Sequence, residues 1–417
     1  MSKTEKHLLC VSYHSTVPHN TGANVRMLNL LQHLENLRPV LLAPAPQEND
    51  LEHRMFAPMQ FPQIIRKTFG FNPAILGCYG NGVFQRAMRA ISDIEVSAVQ
   101  CEHLWSFPLA QRLARARQAP LILIEHNVEV IYVERAYRMP LFTQITARLE
   151  RKAIHASDRV VVCSEIDAGH LSARFGISPE KIWIVPNGIN LPEIRQKHSR
   201  ETLPAPLRDK TFVLFLGKTN YPPNAEAIRV IAEELAPRAQ AQNRDLVFVV
   251  VGGPQSPDYS RVNQGLAFTG FVEDLQPLLH HAAACIAPLL SGSGTRLKIL
   301  EYAAHAKPIV ATRVAAEGLN FADGKEIIFA DDWDDFVRAV CAIVDGKLDQ
   351  NTIANLAYQK VVNEYQWQAI AAGYQKRLQE LIDLSSPSRE ASARNALPRA
   401  ARSHKAWPRE NHAKLHV

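Results

Sequence analysis

Short apolar runs recur along this chain and alternate with segments whose apolar residues return every three or four positions. His7 to Tyr13 predicts a buried strand, His14 to Asn24 a polar loop, and Val25, Leu28, Leu31 and Leu34 one face of a helix. Val40 to Ala43, Leu121 to Ile124 and Val160 to Cys163 predict further strands, with helical stretches such as Leu141 to His155 between them. Strand alternating with helix predicts a parallel sheet. After Asn190 the chain turns polar and loses its period, which places a linker at 191–210. A second series follows over 211–364: Phe212 to Leu216, a helix from Asn224 to Ala236, Leu246 to Val251, Ala284 to Leu289, a helix from Leu297 to His305, and Ile309 to Ala311. The expected fold class is therefore α/β, with two Rossmann-like, doubly wound domains, 1–190 and 211–364. Trp367 to Leu384 carries Ile370, Tyr374, Leu378 and Leu381 on one helical face, and 385–417 is expected to be a disordered tail.

The 417 residues exceed what one core holds, about 250–300, and 47% hydrophobic with 21% charged residues is a soluble globular composition. The net charge of +6 matters by its location. Between Ser388 and Val417 seven Lys/Arg stand against Glu390 and Glu410, and between Arg54 and Gln118 eight stand against Asp93, Glu95 and Glu102. Clustered positive charge suits an anionic bilayer, an anionic acceptor or nucleic acid, and equally a solvated surface. Nucleic acid is not expected, because Trp407 is the only Phe, Trp or Tyr in the tail. Six scattered cysteines without a Cys-x-x-Cys pair read as reduced core residues of a cytoplasmic protein. The first apolar run is too short for a signal peptide or a membrane span, so secretion is not expected.

The chemistry concentrates between Ala287 and Thr312. After a strand, Ser291 to Gly294 form a loop of small residues that lets backbone N–H groups approach a ligand, and a helix opens behind it, an arrangement suited to a phosphate. Arg296 and Lys298 add positive charge, and Glu301 is placed to accept hydrogen bonds from sugar hydroxyls. Taken alone, such a loop is equally a tight turn with solvated cations. In the first half, Glu125, His126 and Asn127 end the strand Leu121 to Ile124, where open parallel sheets bind ligands. Glu102 and His103 end another apolar stretch and, with His14, are candidate acceptor ligands. Ser164 and Glu165 open a helix, and Asn187-Gly188 form a turn. There is no His/Cys cluster of metal-ligand spacing and no Asp-x-Asp motif of the kind that holds a divalent ion in other transferases, so neither metal nor cofactor is expected.

These stretches resemble glycosyltransferase family 4. Glu301 with Lys307 to Thr312 (KPIVAT) matches the family's donor region, and VVVCSEIDAGHL, IWIVPNGIN, FVLFLGKTNYPPNAEAI, FVVVGG, FTGFVEDL and YQWQAIA follow in the family's order over roughly residues 7–384. The resemblance implies a GT-B fold with a cleft between its domains and transfer of a sugar from a nucleotide-sugar donor with retention at the anomeric carbon. It implies a donor site of Gly22, Asn187, Gly217, Lys218, Ser293, Gly294, Thr295, Arg296, Lys298 and Glu301, with His126 beside the donor sugar. His126, Glu301, Arg296 and Lys298 are the candidates for catalysis. Two departures stand out: Ser293 occupies the place of the family's first glutamate, and Lys218 follows Gly217 where an arginine is usual.

The expected partners are a nucleotide-sugar and a sugar, lipid-linked or other acceptor, in cell-surface polysaccharide or glycolipid synthesis. A nucleotide-sugar epimerase and a silent nucleotide-sugar-binding partner subunit are the alternatives. Phe61 to Arg89 mixes apolar and basic residues, which suits peripheral contact with the inner face of an anionic membrane and equally a core helix. Glu301 and His126 are expected to face one another across the cleft, and the final helix to return to the first domain, as in the resembled fold.

Overall fold

The computed structural model describes residues 6–13, 22–44, 51–55, 80–137, 139–192, 198–242, 245–253 and 256–396. Seven strands form the first sheet: β1 (His7–Ser12), β2 (Arg38–Ala43), β3 (Glu52–Met55), β4 (Val96–Glu102), β5 (Leu121–Ile124), β6 (Arg159–Val162) and β7 (Ile182–Ile184). Every neighbouring pair is parallel, in the order β3-β2-β1-β4-β5-β6-β7. The second sheet holds β8 (Thr211–Leu216), β9 (Leu246–Val251), β10 (Leu266–Gly270), β11 (Ala284–Ala287), β12 (Ile309–Ala311) and β13 (Ile328–Phe329), again all parallel, in the order β10-β9-β8-β11-β12-β13. Helices cover both faces of each sheet, so the central strands are buried throughout: all six residues of β1 and of β9 are enclosed. In both sheets the order reverses beside the first strand, between β1 and β4 and between β8 and β11. Such reversals open a crevice at the carboxyl ends of the strands.

Around the first sheet run α1 (Gly22–Gln32), α2 (Asn81–Ala90), α3 (Phe107–Arg117), α4 (Glu129–Tyr137), α5 (Pro140–Ala156) and α6 (Glu165–Phe175). Around the second run α7 (Pro222–Val230), α8 (Ala236–Ala241), α9 (Gln276–His281), α10 (Leu297–Ala304), α11 (Trp333–Val344) and α12 (Gln350–Glu364). Pro222 and Pro223 open α7, where missing amide hydrogens cost nothing, and a π-helical turn at Ile231–Leu235 joins α7 to α8. Among the described residues no helix is long and apolar enough to cross a membrane.

The last helix, α13 (Trp367–Ala396), crosses back to the first sheet. Ala371, Tyr374, Leu378, Leu381 and Ile382 share one core cluster with Leu8, Cys10, Leu41, Ala98, Ile122 and the apolar side of α1. The chain is pinned at the start of this crossing: Ile189 N–H donates to the Tyr365 carbonyl at 2.7 Å, and a Cβ on Gly188 would lie 2.7 Å from the buried Trp367 ring. The glycine of the Pro-Asn-Gly turn is thus required by packing. α13 runs on to Ala396, into the segment expected as a tail. Residues 397–417 lie outside the described residues.

α4 follows β5 almost at once, and its first amides are capped from α5: Glu150 Oε1 accepts from Glu129 N–H at 2.7 Å and Oε2 from Val130 N–H at 3.0 Å. Burial raises Glu129 to about 7 and Glu150 to about 8, and pushes Glu125 well up. An unfolded glutamate titrates near about 4.3, so the folded chain holds these protons more tightly and the carboxyls' contribution is lost as pH rises from there to about 8. In Glu129→Gln the proton is not needed. Its melting temperature is expected to gain on that of the wild type as pH is raised from about 5 to about 9, and a difference independent of pH would refute the assignment.

Candidate functional site

The loop after β11 crosses to the first domain. Gly294 has φ +72°, and a Cβ there would lie 2.5 Å from the His126 carbonyl oxygen, so the two backbones meet without a side chain between them. Around this contact Val128 N–H donates to Ser293 Oγ at 3.2 Å, and Asn187 Nδ2 donates to Thr295 Oγ1 at 2.6 Å. Arg135 reaches over from α4 to the Gly292 carbonyl at 2.8 Å and to Glu317 at 2.7 Å.

Two chambers open on either side of α10's first turn, sharing Gly22, Lys218, Leu297 and Lys298 as walls. The larger, about 620 Å³, is mostly apolar, with Val25, Ile189, Leu216, Val272 and Leu275 beside the backbone of Gly217, Gly252 and Gly253, and Glu301 supplies a carboxylate. The smaller, about 390 Å³, is polar and cationic, lined by Arg26, His126, Asn187, Asn224, Ser293, Thr295 and Arg296.

The cations are held without carboxylates in contact. Lys298 Nζ donates to Asn224 Oδ1 at 2.8 Å and stands 4.0 Å from the centre of the Phe215 ring; burial, and then the neighbouring Arg296, push its pKa well down. Arg296 donates to the carbonyls of Ser293, at 2.7 Å, and Gly294, and burial lowers its pKa too. Arg26, 1% exposed, donates to the carbonyls of Val185 and Pro186 and to Asn187 Oδ1. Among the described residues none of these three forms an ion pair. An anion with paired oxygens entering here replaces the lost hydration of all of them.

Glu301 and His126 do not face one another as expected. One turn along α10 from Lys298, Glu301 lines the apolar chamber, whereas His126 lines the polar one. Burial raises the Glu301 pKa, and His305 lies 3.5 Å away. Glu102, a candidate acceptor ligand, is turned away from any acceptor and toward the imidazole, being 1% exposed with its Oε2 2.8 Å from His126 Nε2. His103 packs its ring 4.2 Å from that of His126, with its backbone at φ +67°. Ser293 Oγ accepts from Val128 N–H, and the residue lines the polar chamber. His14 lies outside the described residues. Gly22, Asn187, Gly217, Lys218, Gly294, Thr295, Arg296 and Lys298 are gathered at the cleft. Sequence reasoning missed Arg26 and Asn224; the signal for Arg26 was its being the only Lys, Arg, Asp or Glu between Gly22 and Leu34.

Residues 20–193 match a family model described as Glycosyltransferase Family 4, and residues 210–345 one described as Glycosyl transferases group 1. D-inositol 3-phosphate glycosyltransferase 2 of Catenulispora acidiphila is 26% identical over 265 residues, 57% of this chain and 60% of that protein. D-inositol 3-phosphate glycosyltransferase 1 of the same organism is 28% identical over 195 residues, 44% of each. The chain thus spans less than two thirds of the length of these curated relatives. Among solved structures, Anabaena HepE in complex with UDP-glucose superposes with a TM-score of 0.67 at 13% identity, over 90% of this chain and 99% of that one. Sucrose-phosphate synthase from Thermosynechococcus elongatus gives 0.70 at 15% identity, over 91% and 100%. At such identities the superpositions establish the fold: two parallel α/β domains of GT-B type.

The backbone contact at Gly294 gives a direct test. A methyl group in Gly294→Ala meets a carbonyl that belongs to the other domain, so the domains are expected to part, with a larger radius of gyration by small-angle scattering and a melting temperature reduced by several degrees. Wild-type values for both would show that the loop absorbs the methyl.

Proposed function

Since the chain belongs to the GT-B glycosyltransferases of family 4, we propose that it moves a sugar from a nucleotide-sugar donor to an acceptor hydroxyl, with retention at the anomeric carbon. The observation that carries this reading is the placing of Lys298 and Lys218 on the wall shared by an apolar chamber that ends in a carboxylate and a polar one that holds an imidazole and Arg296. A planar base fits among Val272, Leu275 and the glycine backbones, with Glu301 accepting from ribose hydroxyls. The diphosphate then lies at the shared wall, met by Lys298, Arg296 and Lys218 with the first amides of α10. As the glycosidic bond breaks, negative charge grows on that diphosphate. Cations already desolvated and in place stabilise it without reorganisation. The sugar falls toward His126, whose Nε2 is tied to Glu102, and Ser293 and the loop backbone take the position of the family's first glutamate.

For the acceptor we propose a lipid-linked or membrane-associated sugar of polysaccharide or glycolipid synthesis, met at the inner face of the cytoplasmic membrane. Of the stretch that motivates this, residues 61–79 lie outside the described residues. In the remainder, α2 buries Val83 and Ala87 and turns Arg86 and Arg89 outward, a basic face that suits an anionic surface. Sedimentation with vesicles containing anionic lipid is expected to bring the protein down at low salt and release it at high salt. Binding unaffected by salt or lipid charge would remove the membrane from this reading.

The transferase itself is tested by thermal stabilisation with a panel of nucleotide sugars, followed by transfer and donor hydrolysis with the best of them. Lys298→Ala is expected to lower turnover by about 100-fold, and Glu301→Ala to weaken the donor's binding by about 10-fold or more. Stabilisation by a donor without any turnover would instead identify a silent binding subunit, and epimerised donor an epimerase.

A further inference from the structure

Behind His126 a line of hydrogen bonds leads away from the cleft. Glu102 Oε2 faces His126 Nε2 at 2.8 Å, Gln100 Nε2 donates to Glu102 Oε1, and the Tyr374 hydroxyl donates to Gln100 Oε1 at 2.6 Å. All four side chains are buried, with Gln100 fully enclosed. The strand period puts them there: Ala98, Gln100 and Glu102 point from β4 to the side covered by α1 and α13. Tyr374 reaches Gln100 across a sequence separation of 274 residues.

The bonds have one direction. An ionised carboxylate only accepts, so His126 presents Nε2–H to Glu102 and Gln100 presents its amide hydrogen. The phenol in turn fixes which way the amide faces. An apolar pair would pack this interface without any desolvation cost, whereas the observed pair delivers its bonds to a single carboxylate.

We infer that Gln100 and Tyr374 are positioning residues for His126, orienting the Glu102 carboxylate that fixes the imidazole's protonated nitrogen and tying that setting to the seating of the final helix. The meaning of His126 for transfer rests on the proposed function; the coupling along the line does not. The titratable and charged groups facing Glu102 are Cys10 from β1, Arg26 from α1, His103 and His126 beyond β4 and β5, and Tyr374 from α13. Burial raises Glu102, and the donated bond from Gln100 opposes that rise. With this donor removed, the Glu102–His126 pair takes up its proton at higher pH.

The experiment compares the wild type with Gln100→Leu and with Tyr374→Phe, which removes one oxygen and keeps the ring in the core. In ligand-free protein the His126 ring protons are followed by NMR through a pH titration. With a donor established, kcat and donor KM are measured across the same range. Gln100→Leu is expected to move both the titration and the low-pH limb of kcat upward by roughly half to one unit, lowering kcat about tenfold with donor KM within about twofold. Tyr374→Phe is expected to move them in the same direction by less, and the double variant to fall short of the sum. A titration and a pH profile like those of the wild type in both variants, whatever their melting temperatures, would overturn the inference. If the wild type turns over no nucleotide sugar, it is the transferase reading that fails, and the NMR titration still decides the coupling.

Discussion

The closest constraint in this molecule is a contact between two backbones. Gly294 can lie against the His126 carbonyl only because it has no Cβ and takes a left-handed conformation, and this contact fixes how near the two crevices come. Each sheet alone offers half of a site, an imidazole or a pair of cations, at the reversal of its strand order. With the backbones touching, Asn187 reaches Thr295, Val128 reaches Ser293 and Arg135 reaches Glu317, so polar groups from three loops are satisfied at one seam. The two chambers and their shared wall of Lys298 and Leu297 follow from that separation.

Electrostatics divide labour within the cleft. The cations lose hydration and find only carbonyls, an amide and an aromatic face, which holds them in place while leaving their charge uncompensated. The carboxylates are kept apart from them. Glu301 sits a turn deeper, and Glu102 stands behind an imidazole. Separation of this kind prevents the internal ion pairs that would otherwise neutralise the positive charge.

Much of this was legible in the residues. Six-residue apolar runs such as Leu246 to Val251 announce strands covered on both faces, and the Gly-rich stretch before Arg296 marks the strand-to-helix junction. Edge strands were not legible: Glu52–Met55 is polar and partly exposed, and carries no period for a pattern to find. The facing of Glu301 and His126 failed because sequence gives the strand ends that meet a crevice but not how far along α10 a side chain projects. Glu102 was misread for a related reason. Its place at the end of β4 suggested the cleft, while its alternation with Ala98 and Gln100 assigned it to the covered side, where only Tyr374, from the far end of the chain, reveals what it meets.

The crossing of α13 also bears on how this chain comes to be folded. The face of the first sheet that carries Leu8, Cys10, Leu41 and Ile122 is completed by Tyr374, Leu378 and Leu381, which leave the ribosome after the whole second domain has been made. The first domain is therefore emitted first and finished last. Until α13 docks, an apolar strip of its oldest strands lies open to solvent and to other chains, a vulnerability of nascent proteins with long-range contacts. Closure of that strip and assembly of the line of bonds behind His126 are the same event, so a chain interrupted before Tyr374 lacks both its last core layer and the support of its imidazole.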